Sequence, residues 1–375
     1  MNEICNKIDY FSEAMGLLIH IGNEDSYMEL KRSLVTKRNV TFESKKHVFE
    51  VLTRIEKAAQ KHFLKEKEEI SYYFRVEENA VRSCGEVLTL WDGFGNEPYR
   101  SIEEIEQYLE KAEDTEYTLE FGNYLQAYTN TIGDESGYEK LDEPIKVITY
   151  LMNMDISQEE KWKVQTLYLK RREHFPKIMN LIHQMIEFLT GYEDELLKLI
   201  QEFYDYWERE LKNKTLTEYM QKRIVYNLPS NIYGYRIRPS IMIPNILGIH
   251  VDTDELGNYK KQDEVWIGIL FGEELDAFGG DQEMLPDTQQ VIRIMKLLSD
   301  KSKFEILCRI NKEPAYGNQL AKEMKLTAAT ISHHMSALIA EGLVTIQMKE
   351  KKVYYQSDKE SLRRILERSK ELLGL

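Results

Sequence analysis

The segment QLAKEMKLTAATISHHMSALIAEGLV, residues 319–344, constrains this chain more tightly than any other stretch. Leu320, Ala321 and Met324 share one face of a helix. Ile331, Met335 and Leu338 recur at i, i+4 and i+7 on a second. Only Lys325, Leu326 and Thr327 lie between them. Thr327 is placed to cap the second helix by accepting an amide hydrogen bond, worth about 1 kcal/mol. Two apolar-faced helices across so tight a turn read as a helix-turn-helix.

The flanks extend the pattern. Val291, Ile294, Met295 and Leu298 form one helical stripe, and Phe304, Leu307, Cys308 and Ile310 continue it into a second helix. LVTIQM and VYYQS flank the basic tip KEKK, residues 349–352, and predict a wing hairpin. SLRRILERSKELL predicts a closing amphipathic helix.

Together, LLSDKSKFEILCRI, QLAKEMKLTAATISHHMSALIAEGLV and KKVYYQ resemble the winged-helix domain of the ArsR/SmtB transcription-factor family. The resemblance covers residues 288–372, and T-I-S-H-H-M-x-x-L-x-x-x-G-L-V is its most specific part. It implies a homodimer reading a pseudo-palindromic operator in double-stranded DNA, with half-sites about one helical turn apart. Some positions depart from the family pattern. Lys303 stands where Arg is usual, Lys325 where Gly is common, and Glu350-Lys351-Lys352 where the wing tip has Gly-Arg. A Lys at 325 is disfavoured if the turn needs φ > 0. The family's cysteine motif for thiophilic metals is absent from AYGNQLAKEM, and SLRRILERSKELL lacks a His or Asp pair for interfacial zinc.

His333 and His334 invite a metal or catalytic reading, which the spacing disfavours. Adjacent helical residues diverge by about 100°. Neither has a Cys, Asp or Glu three or four residues away, and zinc needs three or four convergent ligands. No nucleophile with an orienting acid is evident, so neither metal, cofactor nor enzymatic activity is expected. A recognition helix enters the major groove with its N-terminal part. The candidate DNA-binding residues are therefore Gln319, Thr327, Ala328, Thr330, Ser332, His333, His334 and Ser336, with Lys349, Lys351 and Lys352 on the wing. His334 has two readings, inward and structural or on a phosphate; the wing lysines are either DNA contacts or a solvated loop.

Charge divides the chain. Residues 286–375 carry 16 Lys/Arg against 11 Asp/Glu, a net of +5, whereas residues 1–285 carry 34 against 53, a net of −19. A basic module on an acidic body fits nucleic-acid contact at one end only. One module offers few phosphate contacts and the body repels DNA, which also argues for two modules acting together. Of 40 aromatic residues, only Phe304, Tyr316, Tyr354 and Tyr355 follow residue 285. The compositional break falls in DAFGGDQEMLPD, residues 276–287, read as a linker.

The expected fold is mainly α with small β elements: a large helical acidic domain over residues 1–280, then a winged helix-turn-helix over 286–375. In the first domain, Ser101 with Glu104 and Ser157 with Glu160 predict capping boxes. The helix from Ser157 should run to Pro176, which either opens a second helix or kinks a long one. YGYRIRPSIMI and EVWIGILF, separated by DTDELGNYKKQD, predict a small sheet or hairpin within 233–272.

GFGNEP at 93–98 lacks a βαβ setting and is no phosphate cradle. His174 and His183 form no HExxH, and acid pairs such as Glu77-Glu78 read as solvated faces. The tyrosines and tryptophans could line a ligand pocket, though such stripes more often build a core. Three scattered cysteines, no signal peptide and no apolar run of about 20 residues point to a cytoplasmic protein without a membrane partner. Two functions stay open: a DNA-binding regulator, most simply a repressor, whose acidic domain senses a small-molecule effector or mediates assembly; or a helical enzyme or interaction platform whose winged helix contacts protein.

Overall fold

The computed structural model describes residues 2–38, 42–77, 80, 82–90, 102–128, 139–154, 156–223, 233–250, 262–272, 288–349 and 352–374. The expected linker at 276–287, most of the turn at 252–263, the GFGNEP loop, the Ser101 cap, Glu78 and Lys351 lie outside these residues.

Helices dominate. The first region contains α1 (Tyr10–Gly22), α2 (Tyr27–Arg38), α3 (Lys46–His62), α4 (Lys67–Phe74), α5 (Cys84–Leu88) and α6 (Ile102–Lys111). It continues with α7 (Asp114–Ala127), α8 (Pro144–Asn153), α9 (Gln158–Leu169), α10 (Arg171–Thr190), α11 (Glu193–Glu210) and α12 (Leu216–Arg223). Four strands join them: β1 (Glu3–Ile4), β2 (Tyr235–Ser240), β3 (Leu247–His250) and β4 (Asp263–Gly268).

The α1 helix is the hub of this region. Asp9 caps it, its carboxylate accepting from the Ser12 amide at 3.1 Å and the Ser12 hydroxyl at 2.8 Å. Ala14, Met15, Leu17 and Leu18 are wholly buried, and the helix packs on α4 and α10. Its buried Glu13 accepts from the amides of Ile241 (2.9 Å) and Met242 (2.7 Å), tying the helix to the end of β2. Gly16 permits this approach, since a Cβ there would meet the Ile243 side chain at 2.9 Å.

The sheet has strand order β1-β2-β4-β3. The two β-rich segments seen in the sequence do pair, but in parallel, with Tyr235 opposite Asp263 and Ser240 opposite Gly268. Of the two readings, a small sheet or a hairpin, the structure has the sheet. The chain reverses after Ser240 and lays down the unforeseen strand β3, which is the antiparallel partner of β4. Gly268 sits against the Pro244 carbonyl, where no Cβ would fit. Every residue of β4 is buried, which explains its lack of alternation. On one sheet face Glu264 takes Arg238 at 2.6 Å and Arg236 at 3.0 Å, and Arg236 reaches Glu3 on β1 at 2.9 Å.

Two helix-boundary expectations also change. The break falls at Lys170, between α9 and α10, and Pro176 lies inside the 20-residue α10, so of the two readings it does not open that helix. Ser157 caps α9 through the Glu160 amide at 3.1 Å. The Glu160 carboxylate does not return to the cap; it binds Tyr128 Oη at 2.5 Å, Cys84 Sγ at 3.0 Å and Lys163 Nζ at 3.3 Å. Reciprocal boxes form instead between Ser83 and Glu86 at α5 and between Thr215 and Glu218 at α12.

The second region comprises α13 (Thr288–Leu298), α14 (Lys301–Lys312), β5 (Ala315–Tyr316), α15 (Gly317–Met324), α16 (Ala328–Ala340), β6 (Val344–Lys349), β7 (Lys352–Ser357) and α17 (Lys359–Leu373). Its sheet order is β5-β7-β6. The buried apolar residues form two separate clusters, one drawn from Ala14 to Leu270 and one from Ile294 to Ile365. In α14 the core side is Ile306, Leu307 and Ile310. Phe304 and Cys308, expected inside, form their own exposed row at i, i+4; Met295 on α13 is exposed as well.

Candidate nucleic-acid interface

Asp300 starts the module. Its carboxylate accepts from the Lys303 amide at 2.9 Å and faces the Lys303 ammonium at 3.4 Å. A lysine there keeps the cap-plus-cation arrangement that an arginine would supply. The helix-turn-helix is α15, Lys325, Leu326, Thr327 and α16. Lys325 has φ +56° and ψ 40°, the left-handed region that the sequence flagged as unfavourable for a side chain. Thr327 is the N-cap of α16, its Oγ1 accepting from the Thr330 amide at 3.0 Å and lying 2.7 Å from Thr330 Oγ1.

Ile331, Met335 and Leu338 anchor α16 in the module core, at most 1 % exposed. Thr327, Ala328 and His333 are exposed, and Thr330, Ser336 and Ala337 are half-buried. One side of α16 is thus small and polar from its first turn, with amides and a hydroxyl cap at its positive end. The wing is a regular antiparallel ladder, Val344 opposite Ser357 through Lys349 opposite Lys352. β5 adds to its other side, and the Tyr316 and Tyr354 rings meet edge-to-face at 5.6 Å.

The family model for bacterial regulatory proteins of the arsR family matches residues 300–345, from the Asp300 cap to the start of the wing. This segment is an ArsR-type helix-turn-helix. Such a module supports DNA-binding transcription regulation.

Solved structures similar to this chain include an ArsR-like transcriptional regulator from Rhodococcus sp. RHA1, 24% identical over 23% of this chain and 80% of that one, TM-score 0.22. NolR from Sinorhizobium fredii is 26% identical over 23% of this chain and 86% of its own, TM-score 0.20. The homodimeric winged helix-turn-helix DNA-binding domain of Mb0332 from Mycobacterium bovis is 21% identical over 26% and 89%, TM-score 0.21. Among curated proteins, none matches the chain.

Within the ArsR-type module, the candidate residues divide. Thr327, Ala328, Thr330 and His333 share an accessible surface. Ser332 does not: it is 7 % exposed. It follows buried Ile331 and precedes Met335 by three residues, so helical geometry turns it toward the core. Its placement at DNA is therefore corrected. Gln319 is half-buried and donates to Glu323 at 3.0 Å, while Glu323 also holds Arg309 through two bonds of 2.6 and 3.1 Å.

His334 is half-buried, with Nδ1 buried and lacking a hydrogen-bond partner. Burial pushes its pKa below 6.5, the nearby Lys303 ammonium adding to the effect. This is the inward reading of that histidine. The His333 and His334 rings lie 6.1 Å apart and tilted by 54°. Among the described residues no cluster of three or more His, Cys, Asp or Glu could hold a metal ion. The described backbone of Lys349 and Lys352 ends the wing strands, and their side chains, like Lys351, lie outside what is described.

Sequence reasoning overlooked two cations. Lys322 and Lys325 are exposed at the corner leading into α16 and carry no ion pair among the described residues. Their signal was their place beside the turn, since a phosphate contact there needs only a long cation.

Proposed function

We propose that the chain is a transcriptional regulator that binds operator DNA as a homodimer, most simply as a cytoplasmic repressor without enzymatic activity. Its helical N-terminal region senses an effector or mediates assembly. The observation that carries this reading is the accessible Thr327–His333 side of α16 within the segment matched to the arsR family. In the major groove, His333 and Thr330 address base edges or phosphates, while Lys322 and Lys325 address backbone.

Support for a dimer comes from α13 and α17, which pack on each other. Ile292 and Met295 on α13, with Leu366 and Leu373 on α17, leave 41–73 % of their area exposed. Leu366 and Leu373 stand seven residues apart, so they recur on one side of α17. A second copy covering this surface removes it from water and presents two α16 helices to one face of a duplex. An effector acts by binding one mutual placement of the two modules more tightly than another.

The test is fluorescence anisotropy of the full chain with DNA from upstream of its own reading frame. Specific binding should weaken with salt at a log–log slope of about −0.9 per phosphate contacted. His333→Ala should cost about tenfold or more in specific affinity, on the scale of 1–3 kcal/mol per base contact, with unchanged circular dichroism. Equal affinity of His333→Ala and the parent for the operator would refute this placement of α16.

A further inference from the structure

The acidic N-terminal region contains one site of the opposite character. A groove of about 480 Å³ runs between α2 and α3, lined by Met28, Lys31, Lys46, Phe49, Glu50, Thr53, Arg54 and Lys57. The α3 contributors recur at 46, 49, 50, 53, 54 and 57, so they form one continuous helix face. Four of the eight lining residues are cations and one is an acid, in a region where acids outnumber bases by 19. Arg54 is held by Glu195 across from α11. Lys31, Lys46 and Lys57 carry no ion pair among the described residues. Lys31 from the α2 wall and Lys46 and Lys57 from the α3 wall, without an ion pair among the described residues, favour an anion.

The floor is apolar. Phe49 is 1 % exposed, and the Lys31 ammonium stands 5.4 Å over its ring, a placement that cation–π attraction holds. Met28 and Val35 lie on the same α2 face as Lys31, at 41 % and 38 % exposure, and extend the apolar lip. Thr53 Oγ1 is buried with no hydrogen-bond partner. A mid-helix threonine ordinarily bonds the carbonyl four residues back. An unsatisfied hydroxyl in a groove wall is a donor awaiting an acceptor.

We propose that the α2–α3 groove binds an amphipathic organic anion, its acidic head between Lys31 and Lys46 and its apolar body along Phe49 and Met28. The proposal deepens the regulator reading, on which it rests for its role, by naming the class of effector. The head neutralises surplus charge and the body covers the exposed Met28 and Val35 side chains, so both halves of the ligand contribute. A purely polar anion or a neutral alkane satisfies only one of them.

The experiment uses the full chain and titration calorimetry, with decanoate as probe and decanol and acetate as controls. Decanoate should bind with 1:1 stoichiometry per chain, decanol at least tenfold more weakly, and acetate without measurable heat. Lys31→Glu combined with Lys46→Glu should weaken decanoate at least tenfold with unchanged circular dichroism, and Lys46→Arg should retain binding. Absence of decanoate binding, equal binding of decanol, or equal binding by the double charge reversal overturns the site. So does a change in operator affinity caused by the charge reversals without ligand, which would make the groove a phosphate contact. A parallel anisotropy measurement separates the two readings. Decanoate that binds but leaves operator affinity unaltered refutes effector sensing while the groove stands; any anion whose effect on the operator survives both charge reversals refutes the groove while the regulator stands.

Discussion

The two halves of the chain are held together by different kinds of interaction. The ArsR-type module has a compact aliphatic core, with Tyr355 its one fully buried aromatic among the described residues. The N-terminal region joins distant segments through buried carboxyl groups. Glu13 reaches Ile241 and Met242, Glu56 reaches the Tyr27 amide at 2.8 Å, Glu160 reaches Tyr128 and Cys84, and Glu264 reaches Arg236 and Arg238. Apolar packing tolerates a missing atom by partial collapse, whereas a buried charge without its partner has no such relief. The N-terminal region is therefore the more brittle of the two to polar substitution.

Glu264→Gln should show this most strongly. It removes the carboxylate that Arg238, whose side chain is 5 % exposed, bonds at 2.6 Å, and removal of one partner of a buried pair costs about 3–5 kcal/mol. All four tryptophans precede residue 285, so tryptophan fluorescence follows the N-terminal region alone, while far-ultraviolet dichroism follows both. The denaturant midpoint should fall by fluorescence. Pairing Glu264→Leu with Arg238→Met should restore most of the loss, and failure to do so would locate the cost in shape and not in charge. Leu338→Ala should cost about 2–5 kcal/mol in the other region. It should shift the dichroism while leaving the fluorescence midpoint in place; a common shift would mean that the two regions unfold as one.

The halves should also respond oppositely to pH. Burial raises the Glu13 carboxyl from 4.5 to about 8, against the two amides that favour its ionised form. A folded pKa above the unfolded one means that the folded state holds the extra proton between those values. Stability from this group is thus present below pH 4.5 and lost as pH rises to about 8, by an amount on the order of a few kcal/mol. His334 has the contrary sign. Its folded pKa lies below 6.5, so the unfolded chain takes the proton first, and the module loses stability as pH falls below about 6.5. Glu13→Gln should flatten the alkaline fall in the fluorescence midpoint, and His334→Gln the acidic fall seen only by dichroism. Unchanged slopes would transfer the pH dependence to other groups.

What was legible in the sequence follows the same division. The Thr327 cap, the Ile331–Met335–Leu338 row, the wing and the left-handed cost at Lys325 depend on neighbours within a few residues, and the structure has them all. Ser332 was misread because hydroxyl chemistry drew it to the DNA side when its spacing from Met335 set it inside. In the N-terminal region the errors came from distance. Nothing near Glu160 in sequence announces Cys84 or Tyr128, so a capping partner was assumed. Strand β3 and the parallel pairing of β2 with β4 depend on a reversal after Ser240 that the intervening residues do not advertise. The groove between α2 and α3 was partly readable as a helix face from Lys46 to Lys57, but its second wall is not.

The smallest predicted effect sharpens the comparison from the side of the module. Lys325 holds a left-handed backbone between the two helices of the reader, where an L side chain is strained by roughly 1–2 kcal/mol. Lys325→Gly removes that strain but also frees the unfolded backbone, which offsets part of the gain. A net stabilisation of about 0.5–1 kcal/mol is expected in the dichroism midpoint, with no change in fluorescence. Operator affinity should move the other way, because the exposed ammonium is lost and with it about one unit of charge contact, a salt slope shallower by about 0.9. A residue kept at a cost in folding while contributing to phosphate contact is how binding and stability separate at one position. If Lys325→Gly left the salt slope unaltered, the strain at this corner would have no counterpart in DNA contact.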